Sequence, residues 1–169
     1  ENCEPMHPRC KCSTAAYAKL PWKEEEQNYQ KVTVDRNKVF TRSEKEGKIT
    51  AHRISTMKED VYLSDKASIK PRALHAIMKT YREALDKLGA KGYTSPKMTI
   101  IADTELKANT AGRYSPFDNV LYIKPQKNLE EQRHTIIHEL YHWKDAQEYQ
   151  LKNGAIRDQG AYIRELCKE

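Results

Sequence analysis

Apolar residues recur at helical spacing in two long segments and at strand spacing in several short ones. Leu74, Ile77, Met78, Tyr81, Leu85 and Leu88 fall at i, i+3, i+4 and i+7 on one face, and Gly89 stands where a C-terminal cap belongs. Ser68 to Lys70 leads into Pro71, a residue suited to a first helical turn, so the pattern predicts a helix over about 71–88. His75 lies beside the apolar stripe and reads as a surface or boundary histidine. A second helix opens where Asn128 is followed three residues later by Glu131, the spacing of a capping box, and it runs over about 129–152. Beyond Gly154, the residues Ala161, Tyr162 and Leu166 mark the apolar side of a further short helix.

The strand signals are shorter. Val61-Tyr-Leu63 reads as one strand. Met98-Thr-Ile-Ile-Ala102 and Asn119-Val-Leu-Tyr-Ile123 read as paired strands, separated by a stretch holding Gly112, Pro116 and Asp118. Upstream, Lys31-Val-Thr-Val34 and Lys48-Ile-Thr-Ala51 are weak strand candidates set among charges that include the run Glu24 to Glu26. Residues 21–59 therefore read as a charged linker, and residues 60–169 as an α+β domain in which a helix and a small sheet precede the long helix.

Composition narrows this picture. The 169 residues, 38% of them hydrophobic, suffice for one modest core and an extension. No apolar run approaches the roughly 18–20 residues of a bilayer crossing, and residues 1–20 lack the apolar stretch of a secretory signal, so a soluble protein without a membrane partner is expected. The net charge is +6, and its excess sits in residues 61–128, which carry 12 basic and 6 acidic side chains. These lysines are spread out, with no basic stripe interleaved with aromatics, so a solvated surface is the preferred reading over nucleic-acid contact. Cys3, Cys10, Cys12 and Cys167 are too few for a disulfide scaffold, and three of them gather around His7. A structural metal site, a local disulfide and reduced thiols all remain open there, although Cys10 and Cys12 lie closer than the usual spacing of zinc cysteines. A chain that opens on Glu1, with cysteines and no preceding element to pack on, reads as a fragment of a longer polypeptide.

The long helix carries the chemistry. In Thr135-Ile-Ile-His-Glu-Leu-Tyr-His142, two histidines four residues apart project from one helix face, so both imidazoles reach one ion. Zinc accepts neutral imidazole nitrogen at about 2.0–2.1 Å, and a catalytic site uses three protein ligands and leaves a fourth position open. Glu139 projects about 100° around the helix from His138, a place from which a carboxylate serves as general base without taking a metal position. Peptide hydrolysis needs both the Lewis acid and the base. Ile136, Ile137, Leu140 and Tyr141 make this the most apolar part of the helix, which favours a half-buried site over a surface coincidence. His134 lies one turn earlier and too far along the helix to join the same ion. For Asp145, three residues past His142, a hydrogen bond accepted from the other ring nitrogen of His142 and a solvated carboxylate both stay open, so it receives no firm role.

The third ligand is less legible. Glu148 holds the position used by an extended HExxHxxGxxH motif, but Asp145 replaces the glycine that would turn the chain, so an unbroken helix carries Glu148 away. Asp158 and Glu165, on the short segment after Gly154, are the candidates within the chain, with Glu165 preferred. A residue beyond position 169 is the alternative.

Two stretches resemble a known assembly. Met6-His-Pro-Arg-Cys-Lys-Cys12 resembles the HPxCxC signature of the Mu F-like, head-morphogenesis family of phage minor capsid proteins. Gln132 to Asp145, with Val61-Tyr-Leu-Ser64 and Lys70 to His75 before it, resembles the metallopeptidase domains fused behind that signature. The resemblance implies that residues 1–20 are the tail of a capsid-type domain and that residues 60–169 form a zincin-like peptidase domain. It also implies phage capsid or portal proteins as partners, a virion-associated or bacterial-cytoplasmic location, and a role in capsid processing or as a delivered effector. Those fused domains continue to a distal acidic segment that this chain lacks, which agrees with a fragment.

The expectation is a zinc-dependent peptidase acting on a peptide or protein substrate, with His138 and His142 as ligands and Glu139 as base. Its rival is a virion structural or DNA-adjacent module in which the HExxH segment is degenerate or binds metal only for stability.

Overall fold

The computed structural model describes residues 29–44 and 47–168. The cluster of Cys3, His7, Cys10 and Cys12, and with it the reading of residues 1–20, lies outside the described residues. The described chain is α+β, with one six-stranded mixed sheet and three helices. In chain order the elements are β1 (Val34–Glu44), β2 (Gly47–Ile54), β3 (Val61–Ser64), α1 (Pro71–Leu88), β4 (Lys97–Ile100), β5 (Gly112–Ser115), β6 (Val120–Ile123), α2 (Leu129–Asn153) and α3 (Gln159–Leu166). The strands lie in the order β1-β2-β3-β4-β6-β5, so β1 and β5 form the two edges.

The stretch expected as a linker with weak strands supplies β1 and β2, an antiparallel hairpin that pairs onward with β3. Its alternation was too diluted by charge to stand out, because β1 is an edge strand whose residues are mostly exposed. The runs at 98–102 and 119–123 do pair, but in parallel, with Met98 opposite Leu121 and Ile100 opposite Ile123. A parallel pair cannot be closed by a tight turn. The chain uses the intervening stretch to form β5, which folds back on β6 as an antiparallel hairpin.

Side-chain alternation then sorts the sheet into two buried faces. Met98, Ile100, Leu121 and Ile123 join the core beneath the helices, while Ile101, Val120 and Tyr122 face the other way with Ile49 and Phe40. On that second face Arg42 donates to the Tyr122 hydroxyl at 2.8 Å and pairs with Asp118 at 3.3 Å, closing the β1–β2 hairpin over the sheet.

Helix α1 occupies the expected span, with proline in its first turn and the Gly89 amide bonded to the Leu85 carbonyl at 2.8 Å. Its buried face is Leu74, Ile77, Met78, Tyr81 and Ala84, and His75 is exposed. Helix α2 starts at the Asn128 cap, whose side chain accepts from the Glu130 amide at 2.9 Å. The helix packs on α1 and buries Ile136, Leu140, Trp143 and Ala146 together with the polar Gln132, Glu139 and Gln147. Gln147 accepts from the Thr94 amide at 2.8 Å and the Trp143 indole donates to the Thr94 carbonyl at 2.9 Å, so the loop leading into β4 is pinned to α2. Gly154, at φ +81°, ends α2 in a conformation that side-chain-bearing residues rarely adopt and redirects the chain into α3. Among the described residues no helix is long and apolar enough to cross a membrane.

Candidate metal centre

The middle of α2 and the edge strand β5 build the site together. His138 and His142 lie one turn apart on the helix, and their Nε2 atoms approach to 3.0 Å with the rings nearly perpendicular at 86°. Two nitrogens 3.0 Å apart, each about 2.0–2.1 Å from a shared ion, subtend about 91–97° there, so a small ring rotation reaches tetrahedral geometry. The helix alone dictates this convergence, because i and i+4 side chains share a face.

Burial sets the charge state of the pair. His138 is held below its ordinary pKa by desolvation, with a further push from His134, and His142 is carried down to about 4 by desolvation and by His138. Both imidazoles are therefore neutral at pH 7, which is the form that ligates a metal. His134 itself is exposed, in keeping with its place outside the pair.

Glu139 is 8% exposed, and one carboxylate oxygen accepts from the Tyr114 amide of β5 at 2.8 Å. A carboxylate oxygen of Glu139 and the two imidazole nitrogens all lie within 4.8 Å of one another. Desolvation raises the Glu139 pKa to about 7, against the opposing pull of the Tyr114 amide and of Arg113. A base with a pKa near the working pH both accepts and releases a proton readily. The donor set of two neutral imidazoles flanked by a buried carboxylate fits zinc, with the carboxylate tethered to the strand instead of stacked on the histidines.

Close approach of β5 to α2 makes the tether possible, and Gly112 permits it. A Cβ at that position would sit 2.8 Å from Thr135 Cγ2 and 3.2 Å from Glu139 Cγ. Neither Gly112 nor the Tyr114 amide was legible as a site element, because a four-residue strand containing glycine carries no periodic signal and any residue supplies an amide. The glycine in the stretch before a hairpin was the one available clue.

The two α3 candidates for third ligand are not brought to the pair. Asp158 caps α3 through the Gly160 amide at 2.9 Å and meets Arg164 at 3.7 Å. Glu165 is held by Lys168 at 3.0 Å. Among the described residues, His138, Glu139 and His142 form the cluster of metal-binding types. Glu148 points away, bonded to Lys144 at 2.7 Å and Tyr93 at 3.1 Å, as an unbroken helix requires. Asp145 is half-buried three residues past His142.

No family model, curated protein or solved structure matches the chain.

Proposed function

We propose that this chain is a zinc-dependent peptidase of zincin-like architecture, in which His138 and His142 hold the ion and Glu139 is the general base. The observation that carries the reading is the joint geometry of α2 and β5: two neutral imidazole nitrogens 3.0 Å apart, with a buried carboxylate fixed beside them by a strand amide. A structural helix gains nothing from burying a carboxylate that must be raised in pKa to stay there, whereas a general base does.

When bound, zinc supplies Lewis-acid polarisation of a peptide carbonyl and acidification of water. The protein's own groups do the rest. Glu139 takes the proton from the attacking water and returns it to the leaving amine nitrogen, a transfer suited to its position and raised pKa. The Tyr114 amide fixes one carboxylate oxygen and leaves the other for the proton. Strand β5 pairs on one side with β6 and is otherwise a sheet edge, so an extended peptide can add to it as a further strand beside Glu139. Placement in a phage head, with capsid or portal proteins as partners, rests on the resemblance of residues 6–12 and 132–145.

The test is zinc stoichiometry followed by peptide hydrolysis. Wild type is expected to hold about one zinc per chain, and the His138→Ala, His142→Ala double variant to lose it. Glu139→Gln is expected to keep the metal while hydrolysis of a casein-type substrate falls by about 10²–10⁴-fold. Zinc that persists in the double variant, or full activity in Glu139→Gln, overturns the reading.

A further inference from the structure

The turn between β5 and β6 carries a side chain whose bonds lead back to Glu139. Asn119 has φ +54°, and among the described residues it is the one non-glycine residue at positive φ. Asparagine tolerates that region better than most residues and glycine adopts it freely, so the backbone alone does not require this side chain. Both ends of the side chain are nonetheless engaged. Oδ1 accepts from the Tyr114 hydroxyl at 2.9 Å, and Nδ2 donates to the Thr94 and Ser95 carbonyls, each at 3.2 Å.

These bonds close a circuit on α2. Tyr114 donates through its amide to Glu139 at 2.8 Å and through its hydroxyl to Asn119, so a single residue joins the carboxylate to the turn. The Thr94 carbonyl that accepts from Asn119 also accepts from the Trp143 indole at 2.9 Å, and the Thr94 amide donates to Gln147 at 2.8 Å. Glu139, Trp143 and Gln147 stand at i, i+4 and i+8, on one face of α2 and spread over about 12 Å of its axis. Strand β5 is therefore held to the helix at two separate places. A lone hydrogen bond between Glu139 and the Tyr114 amide leaves the strand free to pivot about it, and the second hold, through Asn119, removes that freedom. Tyr114, Trp143 and Gln147 are all buried, so water does not readily replace a broken link.

We propose that Asn119 is a positioning residue for the reaction: by fixing Tyr114 against the loop before β4, it sets where the Tyr114 amide holds the Glu139 carboxylate beside the imidazole pair. Asn119 touches no reacting atom and acts only through Tyr114. The placement matters because a reacting group displaced by about 1 Å loses as much as about 10²-fold in rate. The inference rests on the peptidase reading above.

Steady-state kinetics of the zinc-loaded chain on the casein-type substrate test it. Asn119→Gly keeps the conformation of the turn and removes only the side chain; it is expected to lower kcat about 10- to 100-fold with KM and zinc content unchanged. Tyr114→Phe cuts the same circuit at one bond and should lower kcat in the same sense. The double variant should be no slower than Asn119→Gly alone, since two breaks in one chain of contacts do not add. Wild-type kcat in Asn119→Gly beside a loss in Asn119→Ala would mean that only the turn's backbone matters, and overturns the proposal, as does an additive double variant. A second measurement needs no catalysis. In proton–nitrogen correlation spectra the Tyr114 amide proton, assigned by its response to Glu139→Gln, lies downfield while it binds a carboxylate, and Asn119→Gly should move it upfield. An unmoved resonance overturns the positioning role. A wild-type chain that cuts no peptide, yet whose Tyr114 resonance moves in Asn119→Gly, removes the peptidase reading and leaves the hold of Asn119 on the carboxylate standing.

Discussion

Gly112 decides how close the edge strand β5 comes to α2. Its missing Cβ leaves room for Thr135 Cγ2, Ile123 Cδ1 and Glu139 Cγ, all of which an added methyl would meet at 2.8–3.2 Å. Gly112→Ala is expected to destabilise the fold by about 1–3 kcal/mol, the usual cost of overpacking, and to weaken the hold of the Tyr114 amide on Glu139. Urea denaturation of Gly112→Ala beside Gly112→Ala, Thr135→Ser checks this, since trimming the nearest methyl should recover part of the loss. A second residue-scale effect is remote from the site. The Arg82 guanidinium bonds Glu59, with Nη2 to Oε2 at 2.9 Å, and holds its carboxyl below the ordinary value. A depressed carboxylate pKa contributes stability that is present above the unfolded value of about 4.5 and is lost as pH falls through the lower folded value. Wild type should therefore lose its advantage over Glu59→Gln between pH 5 and pH 3 in thermal melts; the advantage is expected to be about 0.2–1 kcal/mol for so exposed a pair. An advantage that grows towards low pH would contradict the assignment.

At the scale of elements, the turn between α2 and α3 is the point of greatest sensitivity. Gly154 has φ +81° and nothing within 4 Å of where a Cβ would lie, so substitution there meets backbone strain and no collision. Gly154→Ala is expected to cost about 1–3 kcal/mol, concentrated in the docking of α3, because Tyr162 and Ile156 are the buried residues beyond the turn. Hydrogen exchange should show faster opening of residues 159–166 in this variant with α1 unchanged. Uniform protection across both helices would mean that the strain is absorbed elsewhere. The same reasoning explains the length of α2. The Asn128 cap satisfies the first free amides, and no glycine interrupts the helix until position 154, so Glu148 stays on the helix surface.

For the whole molecule, the sheet acts as a platform that carries the site at one of its edges. The loop before β4 is bonded to both long helices and to the turn after β5: Tyr81 reaches Pro96, Trp143 reaches Thr94, and Asn119 donates to the Thr94 and Ser95 carbonyls at 3.2 Å. A ligand held between α2 and the sheet edge should therefore stabilise the whole cooperative unit. Saturating zinc is expected to raise the unfolding free energy by about 2.7 kcal/mol at a free concentration 100 times Kd, chelator to reverse the gain, and the His138→Ala, His142→Ala variant to show neither response. Calorimetric scans with and without chelator measure this directly.

Much of this was readable from local pattern. The span of α1 follows from Leu74, Ile77, Met78 and Tyr81 on one face between Pro71 and Gly89, and the start of α2 follows from Asn128. The meeting of His138 and His142 follows from their spacing, since four residues on a helix leave little else to decide. These are short-range properties, set by dihedral angles and the period of a single element. What pairs with what is another matter. That β4 and β6 run parallel, that residues 34–44 and 47–54 join the sheet, that Gly112 lets β5 reach Glu139, and that Tyr162 instead of Glu165 turns inward all depend on contacts between segments far apart in sequence. Sequence by itself determined the helix and the two imidazoles on its face; tertiary structure decided the tether of the Glu139 carboxylate and the burial that tunes it, because desolvation exists only once distant segments have packed together.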